Sequence, residues 1–578
     1  MKKIYFLFAF IIACNTSTKK QYQDFETHFE KHDGLETATY KQTINFYWKL
    51  ARDYNEISID SIGETDSGNP LHIVTLNPTV EFNFSKIHNK GKRILLINNG
   101  IHPGESDGID ATMMLYRDIV QGKIAMPKNT VLVTIPVYNV GGCLNRNSTT
   151  RTNQNGPNTY GFRGNARNYD LNRDFIKCDT KNAQTFAKVY HMVKPDVFID
   201  NHVSNGADYQ YTLTHLFTQH NKLAGNLGDF IHNQMMPQLE QKLDKKDWAI
   251  TPYVNVFNQV PEKGFSQFMD YPRYSTGYTT LFNTLGMMVE THMLKPYKQR
   301  VEGTYELMKS MIEIIEEKGD VISKLRKKAL TEIQTHEAYV LDWEVDTTKT
   351  SILNFKGYEA ETIKSSVTGL DRLKYDRNKP FTKPVIYQNY FKPKLEVEIP
   401  EAYIIPKGWH NVIDLLKLNN VEMSTIKKDT VIAIELYTIL EYKTRQVPYE
   451  GHYQHYNTTI KKTQENLKFS EGDYLIFTNQ TAIRYLLETL EPQAPDSFFN
   501  WNFFDTILQQ KEGFSPYVWE DKIEEILATN PKLQIAFNTK KSYNKDFANN
   551  WYAQLDWLHK QTEYYEKAHM QYPVYRIN

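Results

Sequence analysis

Cysteine is scarce in this sequence: the 578 residues include three, Cys14, Cys143 and Cys178. So few thiols exclude a disulfide framework, because Cys143 and Cys178 could form one bond at most and nothing in the sequence shows that they do. An excess of either charge is also absent, since Lys plus Arg and Asp plus Glu both number 68. Charge therefore gives no reason to expect a nucleic-acid partner. Beyond residue 13 no run approaches the roughly 18 apolar residues of a membrane-spanning helix, so we expect none there.

The N-terminus has the order of an export signal. Lys2 and Lys3 precede the apolar run 4–13, which is too short to span a bilayer. The run ends at Ala13-Cys14 and resembles a bacterial lipoprotein signal, in which the cysteine is lipidated. We therefore expect residues 1–13 to be removed, residues 14–32 to form a tether, and a lipid at Cys14 to be the protein's contact with the membrane of a bacterial cell envelope. An ordinary secretion signal with an incidental cysteine is the alternative.

The rest of the chain predicts two units. Hydrophobic residues make up 40% and charged residues 24%, as in globular proteins. Over 33–337, short β-rich runs alternate with helical ones, which predicts an α/β domain around a mainly parallel sheet. Its predicted strands are 71–76, 94–99, 131–137, 197–200 and 287–290. Residues 338–578 are predicted to be a mixed, β-rich accessory domain, and the prolines at 380, 384 and 393 suggest a linker within it.

A histidine and a glutamate flank a tight turn directly after the strand 94–99. The turn is His102-Pro103-Gly104-Glu105. Proline and glycine bring the two side chains toward one point at the carboxyl end of the strand, where α/β proteins bind ligands. His202 follows the strand 197–200, which would bring it to the same edge of the sheet. Two histidines and a carboxylate are a set that binds catalytic zinc while leaving a position for water.

Between these residues lies the stretch 162–175, Phe-Arg-Gly-Asn-Ala-Arg-Asn-Tyr-Asp-Leu-Asn-Arg-Asp-Phe. It resembles the Arg-x-Asn-x-x-x-x-Asp-Leu-Asn-Arg-Asn-Phe signature of zinc carboxypeptidases related to pancreatic carboxypeptidase A, closest to the branch with carboxypeptidases E and N. The resemblance implies the carboxypeptidase α/β fold and one Zn²⁺ per chain, held by His102, Glu105 and His202.

The same resemblance assigns the remaining site residues. Arg163 would polarise the scissile carbonyl, Asn172 and Arg173 would bind a substrate's terminal carboxylate, and Glu290, at the end of the strand 287–290, would be the general base. Tyr274 is the candidate for the family's mobile tyrosine, with Tyr278 as the rival. The substrate would be a peptide or peptide-like molecule with a free C-terminal carboxylate.

Two departures from the family's pattern concern specificity. Asp174 replaces the second Asn of the Asn-Arg-Asn motif, and 139–142 reads Asn-Val-Gly-Gly where relatives often have Asn-Pro-Asp-Gly. We expect both to lie near the substrate pocket. If Tyr274 is the mobile tyrosine, the pocket floor is Leu281, which would favour an apolar side chain.

Three functions fit these residues. The first is a lipid-anchored metallocarboxypeptidase. The second is a zinc amidase or deacylase that acts on cell-wall stem peptides or N-acyl amino acids. The third is a catalytically silent binding lipoprotein. A complete set of zinc ligands together with Arg163 and Glu290 argues against the third function, because a silent scaffold has no physical need for that set.

Overall fold

A computed structural model describes residues 25–223 and 225–578. The predicted signal peptide, Cys14 and the tether up to residue 24 lie outside them. The remaining part of the predicted tether is folded, because Phe25 and Phe29 are buried and Thr27 caps a short helix. No helix in the described part of the chain is both long and apolar enough to cross a bilayer. Cys143 and Cys178 are buried, unpaired thiols.

The strands belong to one large sheet and several smaller ones. In chain order they are β1 (Ile57–Glu64), β2 (Pro70–Leu76), β3 (Arg93–Asn99), β4 (Thr130–Ile135), β5 (Val197–Ser204), β6 (Leu213–Phe217), β7 (Ile250–Pro252), β8 (Phe265–Ser266), β9 (Leu285–His292), β10 (Ala338–Val345), β11 (Ser351–Lys364), β12 (Asp371–Gln388), β13 (Phe391–Glu398), β14 (Ala402–Ile405), β15 (Ser424–Thr425), β16 (Thr430–Thr444), β17 (His455–Phe469), β18 (Tyr474–Phe477) and β19 (Tyr575–Ile577).

The helices cover both faces of the large sheet. They are α1 (His28–Lys31), α2 (Tyr40–Asp53), α3 (Phe84–Asn89), α4 (Asp107–Val120), α5 (Val140–Leu144), α6 (Lys181–Val193), α7 (Gly225–Phe230), α8 (Met236–Asp244), α9 (Ser275–Thr280), α10 (Tyr297–Ile333), α11 (His410–Leu418), α12 (Ile483–Leu490), α13 (Pro516–Thr529), α14 (Pro531–Tyr543), α15 (Lys545–Ala548) and α16 (Trp551–His559). Short 3-10 or π turns occupy Leu171–Arg173, His220–Leu223, Ile231–Met235, Pro261–Lys263 and Asp505–Leu508.

The large sheet confirms the predicted fold class. Within the described residues it has eight strands in the order β1-β2-β4-β3-β5-β9-β6-β7. The centre, β4-β3-β5-β9, is parallel, whereas β1-β2, β2-β4 and β9-β6 are antiparallel. All five predicted strands are present, and four of them form this parallel centre. The fold is therefore an α/β fold around a mixed, mainly parallel sheet.

Both faces of the large sheet are buried, as expected for central parallel strands. Along β3, Ile94 and Leu96 belong to one hydrophobic cluster, while Leu95 and Ile97 belong to another. The second cluster is completed by α2, α4 and α10. The first also contains residues of the predicted accessory domain, such as Tyr485, Leu486 and Trp501. Side chains from both predicted domains therefore share one core, and the boundary at residue 337 stays a prediction.

Residues 338–578 are rich in strands, as predicted. They contribute the hairpin β11-β12, which adds to β8, the pair β10-β13, and a sheet in the order β15-β18-β14-β19-β16-β17. The predicted linker at the prolines is wrong, because Pro380 and Pro384 lie in β12 and Pro393 lies in β13. Over 371–386, β12 pairs on one side only, so a proline nitrogen can face the unpaired edge without loss of a hydrogen bond.

Candidate active site

The three predicted metal-ligand side chains meet at the carboxyl edge of β3 and β5. His102 Nδ1 lies 3.3 Å from Glu105 Oε1, and His202 Nδ1 lies 3.1 Å from Glu105 Oε2. One potential ligand atom from each residue lies within 4.8 Å of the others, and all three residues are buried. The turn between the first two depends on a small residue, since a Cβ on Gly104 would lie 2.5 Å from Arg151 Cδ and 3.1 Å from Gly161 O.

The orientation of the two imidazoles fits a metal ion. His102 Nε2 is 2.8 Å from Asp170 Oδ1, and His202 Nε2 is 2.8 Å from Asp200 Oδ2. Each carboxylate holds the proton on Nε2 and leaves the Nδ1 lone pair directed at the ligand cluster, as in carboxylate–histidine–zinc arrangements. His102 Nδ1 is buried and has no hydrogen-bond partner among the described residues. Such an orphaned acceptor is costly, and a metal ion would satisfy it.

Asp170 links one metal ligand to the arginines of the signature. Arg163 donates to Asp170 Oδ2 from Nε (3.1 Å) and Nη2 (2.8 Å), and the Arg163 side chain remains 46% exposed. Arg173 Nη1 lies 3.9 Å from the same oxygen. Burial raises the pKa of Asp170, but His102, Arg163 and Arg173 together lower it well below its usual range. Asp170 is therefore ionised and anchors three site residues.

Asn172, Arg173 and Tyr274 form one wall of the site. The guanidinium carbon of Arg173 lies 4.6 Å from the centre of the Tyr274 ring, and Nη1 donates to Asn172 O at 2.8 Å. Asn172 Oδ1 accepts a hydrogen bond from the backbone N–H of Ser275 at 3.1 Å, which joins the signature loop to α9. A planar guanidinium held on an aromatic face is well placed to bind a carboxylate.

Glu290 faces the ligands from the neighbouring strand. It pairs in register with His202, the two residues lying on β9 and β5. Burial raises the pKa of Glu290, the His202 imidazole lowers it and the carboxylates of Glu105 and Asp200 raise it, which together bring it to about 7. A carboxyl group with such a pKa can both accept and release a proton near neutral pH.

All eight predicted site residues line one cleft of about 210 Å³. They are His102, Glu105, Arg163, Asn172, Arg173, His202, Tyr274 and Glu290. The rest of the lining is Val203, Ser204, Asn205, Leu216, Tyr253, Phe268 and Met288. Sequence reasoning missed this second set because these residues belong to no motif and come together through the fold. Four of them, Val203, Leu216, Phe268 and Met288, are apolar.

Two further predictions about this region are wrong. Tyr278 lies in the core, where its hydroxyl donates to Asn419 Oδ1 at 2.6 Å, so it cannot replace Tyr274 in the cleft. Leu281 is not the pocket floor. Leu281 comes directly after α9, is buried in the hydrophobic core, and lines a different cavity together with Ile333 and Tyr339.

The two departures from the family's pattern lie behind the cleft rather than in it. Asp174 is fully buried and accepts hydrogen bonds from Lys177 Nζ (2.7 Å) and from the backbone and hydroxyl of Thr180 (3.0 and 2.6 Å). Asn139 caps α5 and donates to the carbonyl oxygens of Ile101 and Arg163. Neither side chain lines the cleft, but both hold loops that carry cleft residues, because Asn139 binds the backbone of Arg163 and Asp174 directly follows Arg173.

The carboxylates behind the histidines, Asp170 and Asp200, were also missed. A signal for each was present in the sequence. Asp200 precedes His202 by two residues on a strand, and therefore shares its face. Asp170 lies inside the signature itself, two residues before Asn172.

The family comparison supports the sequence resemblance. Residues 43–204 match the family model Peptidase_M14, zinc carboxypeptidase. Among curated proteins, Carboxypeptidase 2 of Trichophyton tonsurans is 29% identical over 101 residues, which are 17% of this chain and 18% of that protein. Carboxypeptidase 2 of Trichophyton rubrum is 21% identical over 498 residues, 81% of this chain and 84% of that protein. The chain thus aligns with less than a fifth of the first relative's length.

Solved carboxypeptidases are similar over about half of the chain. Carboxypeptidase A from Helicoverpa armigera aligns with a TM-score of 0.37 and 13% identity, over 49% of this chain and 74% of that one. The metallo-carboxypeptidase from Burkholderia cenocepacia aligns with a TM-score of 0.34 and 16% identity, over 48% and 69%. The support for the zinc carboxypeptidase family comes from residues 43–204, the segment that contains six of the eight predicted site residues.

Proposed function

We propose that the protein is a zinc-dependent carboxypeptidase that removes C-terminal residues from peptides, with one zinc ion held by His102, Glu105 and His202. The observation that carries the proposal is that these ligands share one cleft with Asn172, Arg173 and Glu290. When bound, zinc supplies Lewis acidity that activates water and polarises a carbonyl group. A carboxylate-binding wall beside a metal centre favours a substrate that ends in a free carboxylate.

The residues of the cleft have different roles in the proposed reaction, which follow from their positions. Arg173 and Asn172 bind the terminal carboxylate, and the stacking of Arg173 on Tyr274 fixes the plane of the guanidinium. Arg163 is the more exposed of the two arginines and donates to the carbonyl oxygen as negative charge develops on it. Glu290 takes a proton from the attacking water and delivers it to the leaving amine, which suits a pKa of about 7.

The cleft itself suggests the preferred terminal residue. Leu216, Phe268 and Met288 give it an apolar part, and the carboxylates in its lining are Glu105 and Glu290, which belong to the metal site. Its volume of about 210 Å³ is below the roughly 300–1,000 Å³ of sites for drug-sized ligands. We infer that the enzyme accepts one apolar residue and disfavours a C-terminal lysine or arginine.

A peptide digest tests this function. Purified protein, loaded with zinc, is incubated with a mixed set of peptides, and the products are identified by mass spectrometry with and without a chelator. We expect the loss of single C-terminal residues, apolar ones first, and no cleavage with the chelator. Internal cleavage, or release of amino acids only from N-acyl amino acids or cell-wall stem peptides, would contradict the carboxypeptidase and favour an endopeptidase or an amidase. Zinc-loaded protein that cleaves nothing would favour a binding protein.

We also propose that the protein is exported and anchored to the cell envelope through lipid on Cys14. The support is the short apolar run that ends at Ala13-Cys14. One lipid chain binds membranes weakly and several bind stably, so a lipidated protein should fractionate with membranes. A Cys14→Ser variant that partitions with membranes as completely as the natural protein would contradict the anchor.

A further inference from the structure

The hairpin β16-β17, far from the site in sequence, ends in a turn that reaches the signature loop. The turn is Tyr449-Glu450-Gly451-His452, closed by hydrogen bonds between the backbones of Tyr449 and His452 at 2.7 and 3.1 Å. Glu450 and Gly451 both have positive φ, 48° and 82°, which is typical of the tight turns that join hairpin strands. The tip of the hairpin is therefore a compact, well-defined element.

This turn contacts the loop 169–179, which contains the last residues of the signature stretch, at three points. The backbone N–H of Asp170 donates to Glu450 Oε2 at 2.8 Å. His452 Nε2 lies 2.7 Å from Asp179 Oδ2. Gly451 approaches the hydroxyl of Tyr169 so closely that a Cβ at this position would lie 2.6 Å from the oxygen. The loop 169–179 thus rests on a part of the chain that lies about 280 residues further along.

The tip is itself fixed by aromatic packing. The Tyr449 ring stacks on Trp501 with centroids 6.0 Å apart and an angle of 16°. Arg273 lies against both rings, at 5.8 and 5.4 Å, and pairs with Asp496 at 2.8 Å. Trp501 is fully buried. Because the turn 449–452 is held in place by this packing, it can fix the position of the loop 169–179 that it contacts.

Asp170 connects the turn 449–452 to the site residues. Its carboxylate bonds His102 and Arg163, and it also accepts a hydrogen bond from the backbone N–H of Asn172 at 2.9 Å. A shift of the Asp170 backbone therefore moves a metal ligand and two residues of the cleft together. Glu450 does not line the cleft, and its hydrogen bond to the signature stretch is the one it accepts from the Asp170 backbone.

We propose that Glu450 is a positioning residue of the active site: its charge-assisted hydrogen bond to the Asp170 backbone fixes the carboxylate that orients His102, Arg163 and Asn172. The inference rests on the proposed function for its catalytic consequence, but the hydrogen bond itself does not. The region 338–578 thereby helps to position the site without lining the cleft, and Glu450 has a role that no sequence motif indicates.

The test compares three variants of the full-length protein. Glu450→Ala removes the acceptor, Glu450→Gln keeps an oxygen acceptor without the charge, and Glu441→Ala, an exposed residue on the same hairpin, is the matched control. Hydrogen exchange by mass spectrometry follows the amides of 163–175, chelator competition follows zinc release, and steady-state kinetics give kcat and KM separately.

We expect Glu450→Ala to speed amide exchange in 163–175 and to release zinc about tenfold faster, near the lower end of the roughly 10- to 100-fold range for outer-shell partners. It should lower kcat as well as raise KM, because His102 and Arg163 shift together. Glu450→Gln should recover most of both effects, and Glu441→Ala should behave like the natural protein. Exchange and zinc release in Glu450→Ala equal to the control would overturn the inference. If the natural protein cleaves no peptide, the proposed function fails, while the exchange data still decide the role of Glu450.

Discussion

The two histidines of the candidate metal site, His102 and His202, are oriented by carboxylates of different origin. Asp200 shares a strand with His202 and is held by Ser275 Oγ at 2.5 Å and Asn98 Nδ2 at 3.2 Å. Asp170 belongs to a loop and depends on contacts with Arg163 and Glu450. His202 is thus fixed by the rigid sheet, whereas His102 is fixed by a loop. The geometry of the candidate metal site therefore depends on residues one layer behind His102 and His202.

Removing the carboxylate behind His202 should weaken zinc binding. Asp200→Asn keeps the size of the side chain but loses the charge that favours the required tautomer, so we expect about 10- to 100-fold weaker zinc binding. Equilibrium competition with a chelator measures it. Asp208→Asn is the matched control, because Asp208 pairs with His292 at 3.2 Å, and His292 does not line the cleft. Equal losses in the two variants would contradict a specific role for Asp200.

Glu290→Gln should keep zinc and fold but lose about 10²- to 10⁴-fold in kcat, because the amide cannot accept a proton. The base works in its ionised form, so kcat/KM of the natural protein should fall as the pH drops below the pKa of about 7. The positive charge of bound zinc lowers this pKa, and the acid limb should therefore lie at or below pH 7. A variant with near-natural kcat, measured at saturating peptide, would remove Glu290 from the mechanism.

At the scale of elements, the site was predictable wherever it lies on buried strands. The strands β3, β5 and β9 are continuous apolar runs, and the polar residues at their carboxyl ends mark the edge where ligands bind. The edge strands β1 and β7 were not predicted, because an edge strand needs no such run. Leu216 and Tyr253 depend on how β6 and β7 join the sheet, which no local pattern encodes. Leu281 failed as a prediction because the register after α9 depends on tertiary packing.

The helix α4 packs closely on the strands that carry the site. A Cβ on Gly108 would lie 2.4 Å from Asn201 Cβ and Asn99 Oδ1. Gly108→Ala should therefore destabilise the protein by about 1–3 kcal/mol, the usual cost of overpacking. Gly408→Ala is the control, since nothing lies within 4 Å of its Cβ position. Denaturant unfolding of both variants measures the difference, and equal stabilities would contradict the close contact of α4 with the sheet.

At the scale of the whole molecule, residues 338–578 complete the core of the α/β fold. Arg484 donates to Thr280 O and Asn283 Oδ1 at 3.1 and 3.2 Å, and Tyr278 donates to Asn419. Tyr485, Leu486 and Trp501 pack in the same cluster as Phe186 and Tyr278. Sequence patterns identified the two regions but not this packing, because long-range contacts leave no periodic signal within either region.

Truncation tests this dependence. Fully burying one large apolar side chain contributes about 1.5–3 kcal/mol, and a folded domain is stable by only about 5–15 kcal/mol. A fragment of residues 25–337 exposes many such side chains, so we expect it to be insoluble or to lack a cooperative thermal transition, which circular dichroism would detect. A soluble fragment that unfolds cooperatively would show that the α/β region is stable by itself.

The preference for a free C-terminal carboxylate tests the central claim most directly. The measurement is kcat/KM on one peptide as the free acid and as the C-terminal amide, for the natural protein and for Arg173→Ala. Loss of a partner from a buried charge pair costs about 2–5 kcal/mol, and each 1.4 kcal/mol is tenfold, so we expect the amide to be cleaved roughly 30-fold to several thousand-fold more slowly. Arg173→Ala should cleave both peptides at a similar, low rate. Equal cleavage of the acid and the amide by the natural protein would contradict the assignment of Asn172 and Arg173, and with it the carboxypeptidase.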